Sequence, residues 1–145
     1  MEEYEFFIAG RTRNKEKIFE ICDILDEYNI SYYCFLKNEK SHKEAGLDLN
    51  AKPEDLASNF EKLNLTSDTV KTIFKYDMEG LKKSKNLLLV LPAGKSAHIE
   101  SGVAYGLGKK CYAIGEYDVT DSLYLIFEKI FANKEELIDF CKEIK

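Results

Sequence analysis

The sequence contains no apolar run approaching the roughly 20 residues that a membrane-spanning helix needs, so no such span is expected. It also lacks any C-x-x-C pair. Its four cysteines, Cys22, Cys34, Cys111 and Cys141, are widely separated, and neither of the two histidines has another nearby. That pattern argues against a metal site and a disulfide framework, and for reduced thiols in a cytoplasmic protein. No surplus of positive charge exists either: 21 Lys and Arg face 26 Asp and Glu, a formal net charge of -5. A non-specific binder of nucleic-acid polymers is disfavoured, although a local basic patch can still hold one phosphate. The phosphate signatures G-x-G-x-x-G and G-x-x-x-x-G-K-[ST] are both missing. Gly102 to Lys109 approaches the second, but its spacing is wrong and Lys110 stands where Ser or Thr is required. The opening MEEYEFFIAG is acidic, with too short an apolar stretch for a signal peptide, and no internal repeat or low-complexity tract occurs.

What is present fits one globular domain over residues 1–145, with 45% apolar and 32% charged residues. Its most informative stretch is LLLVLPAGKSAHIESGVAYGLGKKCY, Leu87 to Tyr112. Leu87 to Leu91 reads as a strand buried on both faces, ended by Pro92. Ala93 to Ser96 forms a short loop, Ser96 is the expected N-cap of a helix from Ala97, and Gly106 and Gly108 close that helix. An apolar strand, Cys111 to Ile114, completes a βαβ unit, which implies a parallel sheet and a right-handed crossover.

Glu100 falls in the expected first turn of that helix, one position too late for a capping box with Ser96. A helical wheel puts Ile99, Val103 and Gly106 on the buried face and Glu100 at its flank beside Leu107, partly covered. His98 lies just before it, at the carboxyl edge where open α/β sheets bind ligands. The alternative is a dipole-complementing acid beside a surface histidine. Asp77 is the second irregularity. It sits in the apolar stripe Val70, Ile73, Phe74 and Leu81 of a helix capped by Thr66 or Ser67 and running to about Ser84. A carboxylate there is costly to bury unless it is hydrogen-bonded or acts on a ligand. Otherwise the helix breaks near Tyr76 and Asp77 caps its second half.

The remainder alternates strands and helices. Tyr4 to Ala9 is the first strand, and Gly10-Arg11-Thr12-Arg13-Asn14 its turn, with Asn14 capping a helix from Lys15 to Tyr28 that Asn29 closes. Arg11 and Arg13 could grip a phosphate beside a helix N-terminus, or form a solvated basic loop. Ser31 to Leu36 is the second strand. Lys37 to Leu65 reads as an irregular flap or lid, with a short helix from Pro53 to Leu63 and a solvated His42. After Cys111 to Ile114 and a loop through Glu116, Tyr117 and Asp118, Ser122 to Phe127 could be strand or short helix. Lys129 to Ala132 forms an edge strand, and Asn133 caps a last helix. The sum is an α/β, three-layer, flavodoxin-like or Rossmann-like sandwich around a roughly five-stranded parallel sheet.

Asp77-Met78-Glu79-Gly80-Leu81 followed by LLLVLPAGKSAHIESGVAYGLGKK resembles the nucleoside 2-deoxyribosyltransferase superfamily, in particular a branch with D-M-x-A-L, then V-L-P-x-G-[KR]-S-A-H-x-E-x-G-x-A-x-G-x-G-K. FFIAGRTRNKEK resembles that branch's first strand and turn; Lys37 to Leu65 gives no clear match. The resemblance implies cleavage of the N-glycosidic bond of a nucleoside or nucleoside 5′-monophosphate, by hydrolysis or by transfer. It implies Glu100 as nucleophile and Asp77 as the group orienting sugar or base and assisting proton traffic. A 5′-phosphate would be held by Arg11, Arg13 and Ser96. Gly10, Gly94 and His98 complete the expected substrate-binding set, with no cofactor, no metal and a homodimer or higher oligomer. A TIR-like NAD glycohydrolase and a non-catalytic nucleotide-binding module are the rival readings.

Overall fold

The computed structural model describes residues 3–46, 65–117 and 121–144. Five strands form a single sheet: β1 (Tyr4–Ala9), β2 (Tyr32–Cys34), β3 (Ser84–Val90), β4 (Lys110–Ile114) and β5 (Phe127–Phe131). Their spatial order is β2-β1-β3-β4-β5, and every neighbouring pair is parallel. The α-helices among the described residues are α1 (Lys15–Glu27), α2 (Glu39–Ala45), α3 (Asp68–Lys82), α4 (Lys95–Gly106) and α5 (Lys134–Ile144). This is the expected flavodoxin-like sandwich.

Strict alternation along the strands divides the core into two halves. Phe6, Ile8, Leu88, Val90, Tyr112, Ile114 and Phe131 meet α1 and α5 through Ile18, Ile21, Cys22, Leu25, Leu137 and Cys141. Phe7, Ala9, Leu87, Leu89, Leu91, Cys111, Ala113 and Phe127 meet α3 and α4 through Leu81, Ala97 and Ala104. With both faces covered, the second half of β3 has no polar-out positions, and Leu87 to Val90 are fully buried. Each such side chain contributes about 1.5–3 kcal/mol of transfer free energy. All four cysteines are buried free thiols.

Several expectations need correction. The irregular stretch begins with a helix, because Asn38 caps it by accepting from Ser41 N at 3.2 Å and Gly46 ends it at φ +75°. His42 on that helix is not solvated: it is 1% exposed, packs against the Phe35 ring in a tilted arrangement at 4.4 Å and bonds Phe35 O through Nε2 at 2.9 Å. The expected helix from Pro53 to Leu63, and the rest of the proposed lid after Gly46, lie outside the described residues. Asn14 precedes α1 without a side-chain cap, because its amide instead reaches Leu91 O and Pro92 O across the sheet edge. Ser122 to Ile126 is a 3-10 turn that leads into β5. Ser67, with its side chain accepting from Val70 N at 3.1 Å, caps α3, and that helix runs unbroken through Tyr76 and Asp77. Its Phe74 is 64% exposed rather than inward.

The architecture fixes where a ligand can reach. The chain leaves β1 towards β2 on one side and β3 towards β4 on the other, so a crevice opens between the carboxyl ends of β1 and β3. Lys17 Nζ braces the β3 exit by donating to Leu91 O at 2.9 Å. On the other side of the crevice, α3 seats on Tyr33 at Gly80. A Cβ there would stand 2.7 Å from the Tyr33 ring. Gly80→Ala should therefore lower stability by about 2 kcal/mol despite alanine's better helix propensity, because the ring cannot yield between Phe7 and α3. Thermal unfolding should show a midpoint drop of about 6 °C; an unchanged or raised midpoint would show that the seam is not tightly packed.

Candidate active site

α4 is built differently from its expected form. Gly94, extended at φ -93° and ψ -165°, is the N-cap, and the helix starts at Lys95. Ser96 is therefore inside the first turn and exposed, not the cap. The face on the sheet is Ala97, Ser101 and Ala104. These small side chains let the helix backbone approach β3 and β4, and Ser101 returns its hydroxyl to Ala97 O at 2.9 Å. Ile99 is 60% exposed and Val103 36% exposed, so the wheel drawn through the larger apolar residues was turned away from the true buried face. Counting from Lys95, Glu100 lies in the second turn and beyond the first-turn donors.

Asp77 reaches the same crevice from α3. It precedes the buried Gly80 and Leu81 by three and four residues and so shares their inward face. Its Oδ1 is buried and has no hydrogen-bond partner among the described residues. Desolvation pushes the Asp77 carboxyl up to about 7. Glu100 is pushed up to about 9, first by desolvation and then by the charge of Asp77. The helix N-terminus therefore does not hold Glu100 ionised. Its position in the second turn forgoes that help, and burial beside a second acid dominates. The two carboxyls titrate as a pair and share one proton between about pH 7 and 9.

Tyr33 lines the α3 side. Burial raises its phenol above the ordinary tyrosine range, the Asp77 charge adds to this, and its hydroxyl accepts from Asn38 Nδ2 at 3.0 Å. His98 turns away from Asp77. Its Nδ1 bonds Gly94 O and its Nε2 bonds the Tyr124 hydroxyl, each at 2.8 Å. Both ring nitrogens are therefore engaged by the protein itself. Gly10 leaves room for Ile18, whose Cδ1 would stand 2.7 Å from an added Cβ, so packing alone accounts for this glycine. Arg11 is exposed at the β1 exit. Arg13 lines a cleft of about 1030 Å³ with Asn14, Lys17, Pro92, Gly115 and Glu116, on the α1 and α5 side of the sheet. Asp77 and Glu100 are not on its walls. Among the described residues, no group of three or more His, Cys, Asp or Glu side chains could hold a metal ion, and no helix is long and apolar enough to cross a membrane.

The structure thus brings Asp77 and Glu100 together, with Gly94 and Ser96 at the head of the same helix, and sets Arg13 apart. Reading the sequence alone missed Tyr33, Asn38, Lys17 and Tyr124. Of these only Lys17 falls in a segment that carries the resemblance, and two sit in apolar stretches where a tyrosine reads as core.

No family profile matches the chain, and no curated protein matches it by sequence. Among solved structures it is similar to the 2-deoxyribosyltransferase from the psychrotolerant bacterium Bacillus psychrosaccharolyticus, with a TM-score of 0.63 over 92% of this chain and 90% of that one. The chain shares the fold of that enzyme. Sequence identity is 14%, so the likeness speaks for the architecture and leaves the chemistry to the residues described above.

A carboxyl whose proton is held more tightly in the folded than in the unfolded chain destabilises the fold as pH rises between its two pKa values. For Glu100 that window runs from its ordinary 4.5 up to about 9. Glu100→Gln should therefore raise the thermal midpoint by several degrees at pH 8.5 and leave it nearly unchanged at pH 4. A variant equally or less stable than the parent at pH 8.5 would show that Glu100 is not desolvated.

Proposed function

We propose that the chain cleaves the N-glycosidic bond of a nucleoside or nucleoside 5′-monophosphate, with Glu100 as nucleophile and Asp77 as proton-handling partner. The observation that carries this reading is the pair itself: two carboxyls in one crevice at the switch point of the sheet, both raised by burial, Glu100 further by the charge of Asp77. Two acids whose environments separate their titrations are the working parts of glycoside chemistry. The resemblance of the 77–112 segment and the shared fold with a 2-deoxyribosyltransferase support the same choice.

In the proposed sequence, the pair enters the reaction with one proton. As the sugar seats its electron-poor anomeric carbon against Glu100, the proton passes to Asp77 or to the base. A Glu100 oxygen forms a bond to the anomeric carbon while the C–N bond breaks, and its electron pair leaves with the base, which takes up the proton. The transition state carries oxocarbenium character, so a desolvated carboxylate facing it gains Coulomb energy at the moment of cleavage. Water or a second base then displaces Glu100, giving hydrolysis or transfer. Backbone N–H groups of the first turn of α4, which have no intrahelical acceptor, and the Ser96 hydroxyl seat a sugar hydroxyl or 5′-phosphate. Arg11 adds charge from the β1 exit. We assign Arg13 to the approach of a phosphate along its own cleft rather than to the reacting carbon.

The test is release of free base from a panel of nucleosides, their 5′-monophosphates and NAD. Base release from a nucleoside or nucleotide, lost by more than about 10³-fold in Glu100→Ala and by about 10²-fold in Asp77→Asn, is the expected result. Full activity in Glu100→Ala would remove the mechanism; release from NAD alone would favour the NAD glycohydrolase reading, and binding without turnover a nucleotide-binding module. The pH dependence of kcat/KM should be bell-shaped, with limbs near 7 and 9. On the acid side both carboxyls are protonated and no nucleophile remains; on the alkaline side no proton is left for the base.

We also read the chain as a homodimer. Ile99 and Val103 lie exposed on the outer face of α4, with Phe74 exposed on the neighbouring α3, a covering for which a second copy is the simplest occupant. Sedimentation should give a dimer that Val103→Lys dissociates. A parent chain that sediments as a monomer at micromolar concentration would contradict this.

A further inference from the structure

We propose that Tyr124 is a positioning residue for the head of α4, acting through His98. The inference rests on the reading above in one respect, that the first turn of α4 seats part of the substrate.

The geometry forms a relay. Gly94 O can only accept, so the 2.8 Å contact from His98 Nδ1 places the ring proton on Nδ1. With the proton on Nδ1, Nε2 is an acceptor, and the Tyr124 hydroxyl donates to it at 2.8 Å. The two rings also lie nearly parallel, with centroids 5.7 Å apart and planes inclined by 22°. Tyr124 is itself fixed. Its N–H donates to Asp121 O at 2.9 Å, Asp121 Oδ1 accepts from Leu123 N at 2.8 Å, and Phe127 meets its ring edge-on at 5.3 Å. Tyr117 packs against it from the β4 exit at 5.4 Å.

Gly94 is the end of this chain of contacts, and it carries a double duty. Its carbonyl accepts the first helical bond, from His98 N at 3.3 Å, as well as the ring bond. Two donors on one oxygen fix the plane of the peptide that joins Gly94 to Lys95. The orientation of that peptide sets where the open N–H groups at the head of α4 point. Glycine at 94 supplies no side chain to hold the turn, and an added Cβ would meet nothing within 4 Å. The loop is therefore held from outside, by His98 and Tyr124 on the β5 side. Lys17 and Asn14 hold Leu91 and Pro92 on the α1 side. The relay explains why His98 presents neither nitrogen to a substrate.

Tyr124→Phe in the full chain removes the hydroxyl and keeps the ring stack. If Tyr124 acts by positioning, KM for the substrate found by base release should rise about five- to tenfold, the worth of one such hydrogen bond, with kcat little changed. In a His98→Ala background the same change should have no further effect. Losses that multiply in the double variant would overturn the proposal, because Tyr124 would then act without His98. A second readout needs no activity. In 15N-labelled histidine spectra of the parent chain, His98 should carry its proton on Nδ1, and the Nε2 resonance should shift in Tyr124→Phe. A proton on Nε2 in the parent, or an Nε2 resonance indifferent to the hydroxyl, would overturn the relay. If no substrate is ever turned over, the spectra decide the relay while the assigned function fails by itself.

Discussion

Two carboxyl groups held half-buried against each other, with no cation to pair them among the described residues, are the constraint on which the site depends. Like charges in a poorly solvated crevice cannot both be ionised near neutrality, so the pair must keep a proton. A fold that buries an orphaned carboxylate oxygen forfeits stability at that point and recovers it from packing elsewhere. Here the offset comes from the sheet. Continuous apolar strands are covered on both faces, and the two helices that carry the acids are drawn in by small residues: Gly80 on Tyr33, and Ala97, Ser101 and Ala104 on β3 and β4.

The same close approach explains the division of labour around α4. One helix presents three working faces. Ala97, Ser101 and Ala104 lock it to the core, Glu100 turns to the α3 side and Asp77, and His98 turns to the β5 side and Tyr124. Small residues at the interface make the helix rigid in distance, and the hydrogen bonds at its head make it rigid in rotation. An acid that attacks an anomeric carbon must be placed to within a fraction of an ångström, and this helix is held on every side except the one open to solvent.

Much of the fold was legible in the sequence because parallel strands covered on both faces announce themselves as unbroken apolar runs. Leu87 to Leu91 and Phe6 to Ala9 are such runs, and with the intervening helical periods they suffice for a parallel sheet of about five strands, whose order the structure supplies. The rest failed for identifiable reasons. The buried face of α4 was misjudged because hydrophobic periodicity weights large residues, whereas a helix pressed onto a sheet buries alanine and serine and leaves isoleucine outside. His42 was misjudged because it lies in a polar stretch, and the packing of α2 on α3 together with the Phe35 ring encloses it. Asp77 and Glu100 could be singled out because each breaks its local pattern. Their joint titration could not be foreseen, since it arises from the contact between two helices that the sequence separates. The supporting groups Lys17, Asn38 and Tyr124 act through backbone carbonyls and hydroxyls, interactions with no sequence signature.

The central claim is that Asp77 and Glu100 share a proton in the crevice at neutral pH. Carbon-13 NMR of the two side-chain carboxyls, followed from pH 3 to 10, tests it most directly. The account predicts two coupled transitions, both displaced upward, with the second near 9 and each carbon sensing the other's step. Two independent transitions in the ordinary carboxylate range, near 4, would contradict it.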